Sequence, residues 1–97
     1  MTQLTFHQAK EKHFDRLAQF TPIVNRVHGS KHPEFNQVND LWNLIQAKTE
    51  RTHNPDLSNE FKQLRQVTNN YTVPQDVCES YEAVYQMLEE VDLAYQA

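Results

Sequence analysis

The sequence predicts an all-α fold, a four-helix bundle running up, down, up and down, and three observations carry the prediction. Apolar residues recur every three or four positions along four stretches, the period of one helix face. Pro33, Pro55 and Pro74 each open one of the last three stretches, at the first-turn position where the missing proline N–H costs nothing. A single glycine among 97 residues leaves hairpins and bulges without their usual positive-φ residue. No stretch shows the period-two alternation of a strand.

In the first helix Phe6, Phe14, Leu17, Val24 and Val27 form the apolar stripe. Pro22, with Thr21 as a cap, predicts either a kink or a restart, and Gly29 is expected to end the helix in the left-handed conformation. The second helix opens at Pro33 and presents Phe35, Val38, Leu41, Trp42 and Ile45. For the third, Asn54 is the expected N-cap, with Pro55 in the first turn and Asp56 at the positive end of the helix dipole. Its stripe is Leu57, Phe61, Leu64 and Val67, and it stops at Asn69-Asn70. The fourth starts around Pro74, with Thr72 and Asp76 as start signals. It carries Val77, Tyr81, Val84, Tyr85, Leu88, Val91 and Tyr95.

At 11.5 kDa the chain makes one domain, residues 1–97. A net charge of -4 and a pI near 5.6 argue against nucleic acid as a partner, whose binder should present a basic footprint. The single glycine also removes phosphate-cradling loops. No apolar run reaches the roughly 18–20 residues of a membrane span, and the N-terminus lacks the pattern of a signal peptide. Cys78 is the one cysteine, which precludes an intrachain disulfide or a cysteine-rich zinc site and fits a reduced, cytoplasmic setting.

Five histidines are the chemically suggestive set. His28 and His32 have the i, i+4 spacing of a helical metal pair, but Gly29 and Pro33 place them in a turn, where hydrogen bonding and packing are expected. His7 falls on the inward stripe of the first helix. It stands roughly 30 Å from His28 at a 1.5 Å rise per residue, too far to share a metal. His53, at the second turn of the bundle, returns to the His7 end, with Glu50 one helical turn from it. His7, His53 and Glu50 are therefore the candidate metal ligands, two imidazoles and a carboxylate of the kind that holds iron in a facial arrangement. Cys78 near a helix start reads as a small structural residue. Glu89, Glu90 and Asp92 read as an acidic, solvated face, and Tyr81, Tyr85 and Tyr95 as core and rim. No Ser–His–Asp arrangement is legible and no carboxylate pair has a spacing that singles it out, so the sequence leaves enzyme activity open, with a non-enzyme the favoured reading.

Two stretches resemble a known family. Residues 27–34, Val-His-Gly-Ser-Lys-His-Pro-Glu, look like the first interhelical turn of the hemerythrin-like di-iron proteins of iron–sulfur cluster repair. Residues 68–81, Thr-Asn-Asn-Tyr-Thr-Val-Pro-Gln-Asp-Val-Cys-Glu-Ser-Tyr, look like the turn before that family's last helix. The resemblance spans nearly the whole chain from about residue 4 and implies a cytoplasmic stress-response protein with iron at one end of the bundle. It matches His7 to the ligand of the first helix. It also implies losses: the second helix halts near Arg51 before the family's His-x-x-x-Glu pair. Asn54 stands at the third helix's ligand position with His53 one place off register, and the chain reaches Ala97 where the last histidine is due. The function implied is that of a shortened relative without a complete di-iron site, acting through a protein partner or weak metal binding. Two alternatives stand beside it: a homodimer that assembles a metal site from His7 and His53 across its interface, and a helical interaction module without metal. A chain cut from a longer reading frame would account for the same losses.

Overall fold

A computed structural model describes residues 4–97. Those residues form four helices and no strand: α1 (Phe6–His28), α2 (Glu34–Arg51), α3 (Ser58–Val67) and α4 (Glu79–Gln96). α1 packs most extensively on α4 and then on α2, and α2 packs on α3. The side chains fix the directions. Phe6 at the start of α1 meets Tyr95 at the end of α4, while His28 at its far end meets Cys78 just before α4. Lys48 late in α2 reaches Glu60 early in α3. The result is the predicted up-down-up-down bundle. No described helix is long and apolar enough to cross a membrane.

A reciprocal capping box starts α1: Thr5 Oγ1 accepts from the Gln8 N–H at 3.2 Å, and Gln8 Oε1 accepts from the Thr5 N–H at 2.9 Å. α1 then runs through Pro22 as one helix, so the alternative of a restart falls away. Its buried line is Ala9, His13, Leu17, Thr21 and Val24, which corrects the stripe expected from the apolar residues alone. Four residues overshoot a 3.6-residue turn by about 40°, so a line built on i, i+4 steps drifts around the helix. Val27, 63 % exposed, falls off that line at the far end. His7 falls off it at the near end and is exposed rather than inward.

Two predicted helix starts move, and one predicted cap takes a different conformation. Gly29 caps α1 in ordinary right-handed geometry, φ -60° and ψ -25°, not in the left-handed one. Space is what requires glycine here, because a Cβ would be driven onto the Asn25 carbonyl oxygen and to 2.9 Å from Asn36 Oδ1. α3 begins at Ser58, not at Pro55. Pro55 is buried in the preceding turn, and Asp56 serves the helix start from outside, its Oδ1 accepting from the Ser58 N–H at 3.1 Å. That bond, joined by the Ser58 hydroxyl, holds the Asp56 carboxyl below its ordinary pKa. α4 begins at Glu79 with Cys78 as N-cap, because Asp76 is drawn away to His32. The Asn69-Asn70 stop is where expected: Asn69, Asn70 and Tyr71 take φ of 51°, 57° and 61° in succession, and no helix continues through left-handed residues.

Phe35, Val38, Trp42, Ile45, Leu57, Phe61, Leu64, Tyr81, Val84, Tyr85, Leu88 and Val91 join Leu17 and Val24 in one core. Tyr81 and Tyr85 are core and Tyr95 is rim, as expected. Asp92 corrects the solvated-face reading. It is 1 % exposed, and its carboxylate accepts from Arg65 at 2.7 Å, from the Tyr71 hydroxyl at 2.7 Å and from Gln96 at 2.8 Å. Burial and that bond to Asp92 push the Tyr71 phenol far above its usual range.

Candidate functional site

Chemistry-bearing side chains collect at the two ends of the bundle. At the open end, His7 in the first turn of α1 and His53 in the α2–α3 turn come together as expected. Their rings stack with centroids 4.3 Å apart and planes inclined by 13°. Both are exposed, and with Lys10, Glu11, Phe14 and Asp15 they line an open cleft of about 490 Å³. Glu50, exposed in the last turn of α2, does not line it. The cleft's acidic groups come instead from α1, where Glu11 follows His7 by one turn.

Imidazoles bind a metal through in-plane nitrogen lone pairs that converge on one point. Two nearly parallel stacked rings hold those lone pairs in separate planes. No group of three or more His, Cys, Asp or Glu side chains among the described residues is arranged to hold a metal ion. The residues at this end do not fit a di-iron centre.

The opposite end is denser, and periodicity alone missed it. His28 Nε2 lies 3.2 Å from Cys78 Sγ. His32 Nδ1 donates to the Glu34 carboxylate, 2.9 Å from Oε1. Its Nε2 lies 3.1 Å from Asp76 Oδ1, yet that buried nitrogen has no aligned hydrogen-bond partner. Both rings rest edge-on against Tyr81, at 5.5 and 5.6 Å between centroids. The Tyr81 and Tyr85 hydroxyls are 3.0 Å apart, and burial with that contact lifts the Tyr81 phenol far above its ordinary range. The expected packing and hydrogen bonding of His28 and His32 are present. Sequence reasoning passed over Asp76 and Cys78 as their partners, although an antiparallel bundle brings the residue 28–34 turn and the residue 72–78 segment to one end.

No family model matches the chain. No solved structure matches the chain. The two ends therefore stand on their own geometry.

Proposed function

We propose that the protein is a ligand-poor, hemerythrin-like relative of the di-iron proteins of iron–sulfur cluster repair. On this reading it works in the cytoplasm through protein contacts or one weakly held divalent ion, without a di-iron centre. The observation that carries it is the stacking of His7 on His53 at 4.3 Å. The resemblance assigns the family's irons to this end of the bundle, and here two imidazoles remain with acidic neighbours but without a converging ligand set. Iron loading of the purified chain tests the proposal. Well under two irons per chain, without oxo-bridge absorption, is expected, and two irons with that absorption would overturn it.

A second reading is favoured by the exposure of both rings. A two-fold contact at this end would bring four imidazoles together and make a metal-linked homodimer. Sedimentation with and without ferrous iron decides it. Dimers that form only with metal and vanish in His7→Ala support the reading, and monomers under every condition exclude it.

A further inference from the structure

We propose that the lateral face formed by α1 and α4 is a self-association surface whose partner is a second copy of this chain. A two-fold axis parallel to the helices lays α1 of each protomer on α4 of the other. The surface is independent of the His7–His53 readings. It runs along the side of the bundle, not across its open end, and it needs no metal.

Exposed apolar area is the first argument. Phe20, Ile23 and Val27 stand at i, i+3 and i+7 on α1, the spacing of one helix face. Ile23 is 44 % exposed and Val27 63 %. Phe20 is half-buried and, with Ala83 and Met87 of α4, lines a cleft of about 260 Å³ between the two helices. Arg16, Gln86 and Glu90 border the same cleft. An apolar centre with a polar margin is the layout of a protein interface.

Charge is the second argument, and it names the occupant. α4 carries Glu79, Glu82, Glu89, Glu90 and Asp92 and neither lysine nor arginine. α1 carries Lys10, Lys12, Arg16 and Arg26 against Glu11 and Asp15. Between the two helices of one chain, Lys12 and His13 pair with Glu90. Arg16, Arg26, Glu79 and Glu82 are all exposed, and none of them forms an ion pair among the described residues.

Those charges also select the symmetry. An axis perpendicular to the helices would lay α4 on α4 and set glutamate against glutamate, which costs several kcal/mol-scale contacts of like charge. An axis parallel to them sets the basic α1 on the acidic α4 twice. Residues keep their level along such an axis. His28 and Cys78 share the turn end, so Arg26 comes opposite Glu79 and Glu82 of the partner subunit.

Size sets the strength. α4 has 18 residues, about 27 Å, and two helices side by side are about 20 Å wide. Roughly 500 Å² per protomer, or about 1,000 Å² in all, lies at the low end of specific interfaces. The dimer should therefore be reversible, with a dissociation constant in the micromolar range.

Sedimentation of the full chain in EDTA, from low micromolar to submillimolar concentration, tests the surface. A monomer–dimer equilibrium is expected, weakening about 10-fold as salt rises from about 0.05 to 0.5 M. That series needs no variant to fold. Ile23→Glu should leave the chain monomeric, because closure would bury two unpaired carboxylates. Reversing α1 (Arg16→Glu with Arg26→Glu) or α4 (Glu79→Lys with Glu82→Lys) should weaken the dimer about 10-fold. All four substitutions together should restore it. A cost in folding would accumulate in that last variant, so recovery separates the interface from stability. His7→Ala should change nothing. A monomer at every concentration, a dimer that needs metal or is lost in His7→Ala, or an α1 reversal without effect would each overturn the proposal.

Discussion

Asp92 shows how much one buried carboxylate can hold together. It joins Arg65 of α3, Tyr71 of the following turn and Gln96 at the end of its own helix. Asp92→Ala leaves a guanidinium and a buried phenol without their acceptor. Breaking a buried pair costs about 3–5 kcal/mol, and Arg65 at 34 % side-chain exposure regains some hydration. A loss of about 3 kcal/mol, at the low end of that range, is expected in urea unfolding. Glu90 is a different case, partly exposed and bonded to His13 at 2.8 Å and Lys12 at 3.0 Å. The His13 bond first, then the Lys12 bond, holds its carboxyl below the ordinary 4.5. A carboxyl depressed in the folded state stabilises above its unfolded pKa, and the gain is lost as pH falls through the lower folded value. The stability gap between the native chain and Glu90→Gln should therefore be full near about pH 6 and shrink as the pH falls below the ordinary 4.5 and through the lower folded value. A constant gap across a urea series at those pH values would contradict the assignment.

At the scale of elements, the α3–α4 connection turns on three consecutive left-handed residues. Asn tolerates this region better than most side chains and Gly better still. Asn70→Ala should cost about 1 kcal/mol, whereas Asn70→Gly should be neutral or mildly stabilising. Thermal unfolding of the two variants side by side checks the contrast. Tyr71 has no such tolerance, and its phenol bond to Asp92 helps hold it in place. The Asn-Asn pair was legible in sequence because its conformational preference is local. The starts of α3 and α4 were not. Pro55 and Pro74 carry the same start signal as Pro33, but tertiary contacts outweighed it: Pro55 is buried, and Asp76 is held by His32 from another turn. Asp92 escaped for the same reason. A carboxylate beside Glu89 and Glu90 reads as solvated until Arg65 and Tyr71 are brought to it by the fold.

The whole molecule is one helix long, and this separates its two chemical ends. α1 has 23 residues, about 33 Å at 1.5 Å per residue, and the longest dimension of the bundle is 35 Å. The pairing of His7 with His53 could be read from topology, since the second turn of an up-down bundle returns to the first helix's start. By the same logic the first and third connections share an end. The His28–Cys78 and His32–Asp76 contacts still had to be seen, because the segment before α4 is irregular and no period fixes its side chains. Two sites a helix apart and without shared partners should be energetically independent. Substitutions more than about 7–10 Å apart add to within about 0.5 kcal/mol. The stability effects of His7→Ala and Cys78→Ser should therefore sum in the double variant, read in urea unfolding. A departure beyond that margin would mean that α1 transmits strain from one end to the other, and that the bundle has two packed arrangements instead of one.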